Sequence, residues 1–191
     1  MKARATIAAA AVALATLATL TVPITHYAVW NVSASVPTGL YAIRGRASLH
    51  VGERVAIEPP VPLRSLLAER HYLPAGVPLL KRVAAVSGQR VCRFGHGVTI
   101  DSRFAGVARA RDSHGRPLPA WAGCHTLHTG ELFVMNLAAP DSFDGRYFGK
   151  LRVSNVIGRA APVWTDEAGD GRHVWFADPR QFDRPQPPAG D

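Results

Sequence analysis

Residues 5–24 carry no charged side chain, and after Lys2 and Arg4 the next charge is Arg44. Twenty helical residues at about 1.5 Å each reach roughly 30 Å, the hydrocarbon thickness of a bilayer, so this stretch predicts a transmembrane helix. The basic residues ahead of it would stay cytoplasmic and send everything after Pro23 to the outer side, with Tyr27 and Trp30 at an aromatic belt. Ala13-Leu14-Ala15 also fits a small-residue cleavage site, so a removed signal peptide is the alternative. Retention is favoured because the span keeps the full bilayer length.

Beyond the apolar segment the pattern turns to short strands. Residues 39–44 and 53–58 read as strands, the second closed by Pro59-Pro60. Leu63, Leu66 and Leu67 fall at helical spacing and predict a short helix over 63–72. Leu79–Val86 is an apolar run interrupted only by Lys81 and Arg82, the signature of a buried strand. A Ser87-Gly88 turn follows, then strands at 90–94 and 98–101 joined through Gly95-His96-Gly97 as a hairpin. Residues 105–123, rich in Gly, Pro, Arg and His, predict an exposed excursion. Strands are expected again at 131–136 and 153–164, with Leu132, Phe133 and Met135 in the core. The pattern divides the chain into an anchor or signal segment (1–30), a mainly β domain of sandwich or barrel type (31–164), and a tail (165–191) expected to be partly disordered.

Composition narrows the class. Hydrophobic residues make up 47% and charged ones 19% of the 191 residues, far from the signature of disorder, and the length suits one domain plus an anchor. The net charge of +8 is uneven, because residues 164–191 hold six acidic and three basic side chains, leaving +11 on the remainder. Beside a membrane segment, such an excess points to anionic lipid rather than nucleic acid. The two cysteines, Cys92 and Cys124, predict one disulfide in an oxidising compartment, which the loop-entropy model values at about 3 to 4 kcal/mol. His96 and His128 follow them closely, so a Cys2His2 metal site is the rival, although the spacing is not that of zinc fingers. The histidines, His125 and His128 among them, occupy no nucleophile-elbow context and read as surface residues.

The candidate chemistry lies in Ser33-Ala34-Ser35-Val36-Pro37-Thr38-Gly39-Leu40-Tyr41 and in Lys81. Pro37 and Gly39 would hold Ser35 in a rigid turn, as a nucleophile requires. A polar juxtamembrane loop is the plain alternative. A free lysine is neutral only about once in a few thousand molecules at pH 7, so Lys81 can activate a serine only if burial lowers its pKa by roughly 2 to 3 units. Otherwise it is a snorkelling lysine with its stem on apolar surface.

The serine segment, Lys81-Arg82-Val83 and Asp141-Ser142-Phe143-Asp144-Gly145-Arg146-Tyr147-Phe148-Gly149 stand in the order of three motifs of the bacterial type I signal peptidase superfamily. The likeness spans residues 25–162 and resembles most the conjugative-transfer, TraF-like branch of pilin maturation peptidases. It implies a signal-peptidase-like β catalytic domain behind an N-terminal transmembrane helix, with Ser35 as nucleophile and Lys81 as general base. It further implies Ser33 and the Ser35 backbone N–H as the oxyanion hole and Ser142 as the residue orienting the lysine. Asp144 and Arg146 resemble a structural ion pair, Asp144 rather than Asp141 being also the acidic residue implicated in activity. Arg82 is expected to be solvated or phosphate-facing, and a second cation near the lysine would depress its pKa. Gly145, Phe143 and Val36 depart from the general signal peptidases. The resemblance implies no cofactor and no metal. It places the domain on the periplasmic face of the bacterial inner membrane, in contact with lipid and with an exported precursor protein, a conjugative pilin above all. A general signal peptidase and a non-catalytic tethered β domain are the alternatives.

Overall fold

A computed structural model describes residues 28–46 and 48–178. The expected anchor at 5–24, the Ala13-Leu14-Ala15 cleavage site, Tyr27 and residues 179–191 of the tail lie outside them. Among the described residues no helix is long and apolar enough to cross a membrane.

The described chain is mainly β. One antiparallel sheet contains eight strands: β1 (Ala28–Asn31), β2 (Thr38–Arg44), β3 (Arg54–Ile57), β4 (Leu79–Val86), β9 (Glu131–Val134), β10 (Leu151–Arg152), β11 (Val156–Asp166) and β12 (Val174–Trp175). Their order is β1-β2-β11-β3-β4-β9-β10, with β12 also paired to β11. A second sheet holds β5 (Arg90–Phe94), β6 (Gly97–Ile100), β7 (Arg103–Val107) and β8 (Gly123–Thr126) in the order β7-β6-β5-β8. Two helices complete it, α1 (Val61–Glu69) and the single turn α2 (Gly145–Phe148).

Strand β4 is buried along both faces, as its apolar run predicts. Alternation deals its residues to opposite sides. Leu79 and Val83 join a core with Val55, Ile57, Leu132 and Val134, onto which α1 lays Leu63 and Leu67 one turn apart. Leu80 joins Ala56, Tyr41, Val36 and Val29 on the other side. Lys81 pairs with Val55 across the ladder and so shares the first face, whereas Arg82 pairs with Arg54 and shares the second. Arg82 is therefore neither solvated nor phosphate-facing: it is buried and donates from Nη1 to Gly52 O at 2.8 Å.

The 90–100 hairpin forms as expected, and Leu132, Phe133 and Met135 are core. Residues 105–123 are more ordered than a plain excursion. Their start belongs to β7, and Asp112 collects Tyr72 Oη, the Arg116 side chain and two backbone amides, which pins the loop beside α1. The expected strand at 153–164 begins instead with a 3-10 turn, Val153–Asn155, and runs on to Asp166. Strand β1 takes Ala28 to Trp30, grouped with the anchor in the sequence, into the sheet by burying Val29 and Asn31.

Cys92 and Cys124 face each other across the β5–β8 ladder and form a disulfide, which leaves no thiolate for a Cys2His2 site. His125 and His128 are exposed.

Gly39, at the start of β2, fixes how the serine turn meets the sheet. Its φ is +129°, and a Cβ there would lie 2.2 Å from Trp164 O on β11. Left-handed strain of about 1 to 3 kcal/mol would add to that clash. Gly39→Ala is expected to lower unfolding free energy by at least about 2 kcal/mol in chemical denaturation. An unchanged midpoint would contradict the tight approach of β2 to β11.

Candidate active site

Three segments converge on the Lys81 amine. The turn between β1 and β2 supplies Ser33 and Ser35, β4 supplies Lys81, and the loop from β9 into α2 supplies Ser142. Lys81 Nζ lies 3.1 Å from Ser35 Oγ and 2.9 Å from Ser142 Oγ. The lysine is 4% exposed and Ser142 equally enclosed, while Ser35 remains half-buried at the edge of a cleft of about 1130 Å³. The nucleophile candidate can thus be reached while the amine stays dry.

Burial pushes the Lys81 pKa down to about 8. Asp144 opposes the shift by attracting the ammonium, and Arg146 reinforces it by repulsion. The second cation that depresses this lysine is therefore Arg146, not its neighbour Arg82, because strand alternation turns Arg82 to the opposite face.

Asp144 and Arg146 are the buried scaffold of the Ser142 loop. Asp144 caps α2, and its carboxylate accepts from Arg146 N (3.1 Å), Nε (2.9 Å) and Nη2 (2.9 Å) and from Asn136 N (3.0 Å). Arg146 donates further to the carbonyls of Ala139, Pro140 and Ser142, and more distantly to Val107 O at 3.5 Å. Those bonds curl the loop that presents Ser142 to the lysine. The ion pair expected from the sequence is thus formed, and a buried pair so completely hydrogen-bonded would cost about 3 to 5 kcal/mol to break from one side. Among the described residues, the hydrogen bonds of Asp144 reach neither Ser35 nor Lys81. It acts on the lysine through its field. Asp141, by contrast, is exposed and pairs with Arg109 at 2.5 Å.

Gly145 and Phe143 have packing reasons. A Cβ at 145 would sit 2.6 Å from Val134 O and against the Phe133 ring. Phe143 stacks on Tyr147 and tilts against Tyr72, filling the space beneath the Ser142 loop.

Ser33 Oγ lies 3.0 Å from Ser35 Oγ and donates to Asn31 Oδ1 at 3.1 Å. Sequence reasoning passed over Asn31, which had no motif to mark it. It also passed over Trp121 and Arg93, whose Nε1 and Nη1 bind the carbonyls of Gly145 and Arg146 and tie the second sheet to α2.

A buried amine of lowered pKa between two hydroxyls, with a third hydroxyl beside the accessible one, is an arrangement that can draw a proton from a serine hydroxyl. The family model described as signal peptidase, peptidase S26, matches residues 2–165, and the chain belongs to that family. Within it the chain is a TraF-like member. It is 34% identical over 146 residues to the plasmid transfer protein TraF of Escherichia coli, covering 71% of this chain and 81% of that protein. It is 35% identical over 147 residues to the conjugal transfer protein TraF of Agrobacterium fabrum, with the same coverage. A signal peptidase I of Enterococcus faecalis overlaps 60% of this chain and 98% of its own at a TM-score of 0.35 and 17% identity, a likeness too distant to bear on function.

The lowered lysine pKa has a thermodynamic consequence. Between about 8 and 10.5 the folded protein holds fewer protons at Lys81 than the unfolded chain, so stability rises with pH across that window. Below it both states are protonated, and burial costs roughly 3 kcal/mol. Lys81→Met is expected to be more stable than the parent at pH 7, with the difference shrinking toward pH 10.5 in denaturation measured at both pH values. Comparison with this variant cancels Tyr41, whose hydroxyl burial pushes well above its ordinary pKa. A difference that does not change with pH would contradict a depressed Lys81.

Proposed function

We propose that the chain is a serine endopeptidase that cleaves exported precursor proteins at the outer face of the membrane, and that its substrate is a conjugative pilin precursor. The coarser reading, a peptidase role in conjugal transfer, is supported by the family and its TraF relatives. The observation that carries the serine-endopeptidase reading is the Lys81 Nζ–Ser35 Oγ contact of 3.1 Å, with Ser142 Oγ 2.9 Å from the same amine, while the pilin substrate rests on the TraF relatives.

In this mechanism neutral Lys81 takes the Ser35 proton as Oγ attacks the scissile carbonyl. The tetrahedral oxyanion is stabilised by the Ser35 N–H and the Ser33 hydroxyl, a donor of the kind worth about 3 to 4 kcal/mol. The lysine then returns the proton to the leaving amine. Water, deprotonated by the same amine, releases the acyl group and regenerates Ser35. The family resemblance implies alanine or another small residue before the scissile bond.

Membrane lipid as a second partner is supported by an exposed aromatic group. Trp30 and Trp164 lie 6.1 Å apart between ring centroids, Trp164 and Trp175 5.9 Å, and Phe176 adjoins Trp175. Trp30 stands on β1, six residues after the uncharged segment ends. Aromatic rings of this kind favour the headgroup level of a bilayer. On this reading Lys2 and Arg4 stay cytoplasmic, which leaves the cleft on the periplasmic side of the inner membrane, where precursors emerge.

Full-length protein in lipid, assayed on a pilin precursor and on a quenched peptide with alanine before the scissile bond, should cleave both. Ser35→Ala and Lys81→Ala should each lose on the order of 10⁴-fold or more in kcat, as for paired catalytic groups that act as a unit. Cleavage retained in either variant would overturn the Ser/Lys assignment.

A further inference from the structure

The serine turn closes around the Asn31 side chain. It sits at the end of β1, 7% exposed, next to Val32, which is 73% exposed. The chain therefore leaves the sheet at Val32 and returns at Thr38, and Asn31 fills the inside of that bend. Its Nδ2 donates to the carbonyls of Ser33 (2.8 Å), Val36 (3.0 Å) and Pro37 (3.0 Å). Its Oδ1 accepts from Ser33 N at 3.1 Å and from Ser33 Oγ at 3.1 Å. Tyr41 Oη adds one further bond, to Pro37 O at 2.7 Å. Apart from that, among the described residues the side-chain hydrogen bonds to the turn's backbone come from this single amide.

Counting protons shows what the amide does for Ser33. A serine hydroxyl has one proton and two lone pairs. With its proton on Asn31 Oδ1, Ser33 presents a lone pair to the Ser35 hydroxyl 3.0 Å away. In that resting pattern the Ser35 proton points at Ser33, while Lys81 donates to Ser35. For reaction the order reverses: Ser35 gives its proton to Lys81, and Ser33 must swing its own proton to the new oxyanion. A neutral amide oxygen is a weak enough acceptor to release that proton to an anion, because hydrogen bonds to charged acceptors are roughly twice as strong. The amide keeps the Ser33 backbone N–H as the proton turns, so Oγ stays where it was.

We propose that Asn31 is a positioning residue for the oxyanion-stabilising step, holding Ser33 Oγ beside Ser35 and parking its proton until negative charge develops. The inference rests on the Ser/Lys reading above and concerns the same site. Among the described residues the hydrogen bonds of the Asn31 side chain go to the turn and not to Lys81, so it acts through Ser33.

The test is a double-mutant cycle on full-length protein with the alanine-bearing quenched peptide. Asn31→Ala is expected to lower kcat about 10- to 100-fold with KM changed less than threefold, since the missing donor matters only once the oxyanion forms. Ser33→Ala should lower kcat about 10²- to 10³-fold, and adding Asn31→Ala to it should cost no more than about threefold further. Asn31→Ser, whose shorter hydroxyl can make the same bond to the amide two residues on more weakly, should recover part of the kcat lost in Asn31→Ala. If Asn31→Ala does not fold, the same cycle is run with Asn31→Ser. Penalties that multiply in the double variant, a rise in KM with kcat intact, or parental kinetics in Asn31→Ala would each overturn the role. Full cleavage by Ser35→Ala would instead bring down the Ser/Lys reading itself, so the two failures are told apart.

Discussion

Everything in the domain serves to hold one amine out of water between two hydroxyls. A lysine on an apolar strand loses hydration that three donors would otherwise enjoy, and its charged form is destabilised as a result. The chain accepts that loss because β4 is covered on both faces, which leaves Lys81 only 4% exposed at the wall of the cleft. Ser35 and Ser142 give the amine two polar neighbours. They satisfy it without adding an opposite charge that would restore an ordinary pKa.

The nearest charges are arranged to leave that condition intact. Asp144 would make Lys81 a permanent cation if it bonded to it directly. Its four hydrogen bonds go to Arg146 and to the amide of Asn136, so its pull on the lysine is opposed by the guanidinium it holds. The same guanidinium gathers three carbonyls of the loop that bears Ser142. Electrostatic tuning and loop shape are thus one construction, and the second sheet braces it through Trp121 and Arg93.

What the sequence disclosed and what it withheld follow from the range of each interaction. Leu79–Val86 announced a buried strand by an apolar run broken only at Lys81 and Arg82, and Gly95-His96-Gly97 announced its hairpin by local turn chemistry. Ser35, Lys81, Ser142 and Arg146 carried motif spacing, and the structure brings them together. Arg82 was misjudged because its surroundings depend on which face of β4 is covered, and here both are. β1 was hidden by its closeness to the apolar segment, and β7 and β8 by glycines and arginines that suggest exposure when read singly. Asn31 gave no signal, since five bonds from one amide depend on a bend that brings Ser33, Val36 and Pro37 around it. Gly39 was legible as a turn former, but not as the residue whose missing Cβ admits Trp164 O.

The most direct test of this account is the titration of the Lys81 side chain itself, followed by NMR of selectively labelled lysine with Lys81→Met used for assignment. The account predicts a midpoint near 8. A midpoint above 10, that of a solvated lysine, would contradict it.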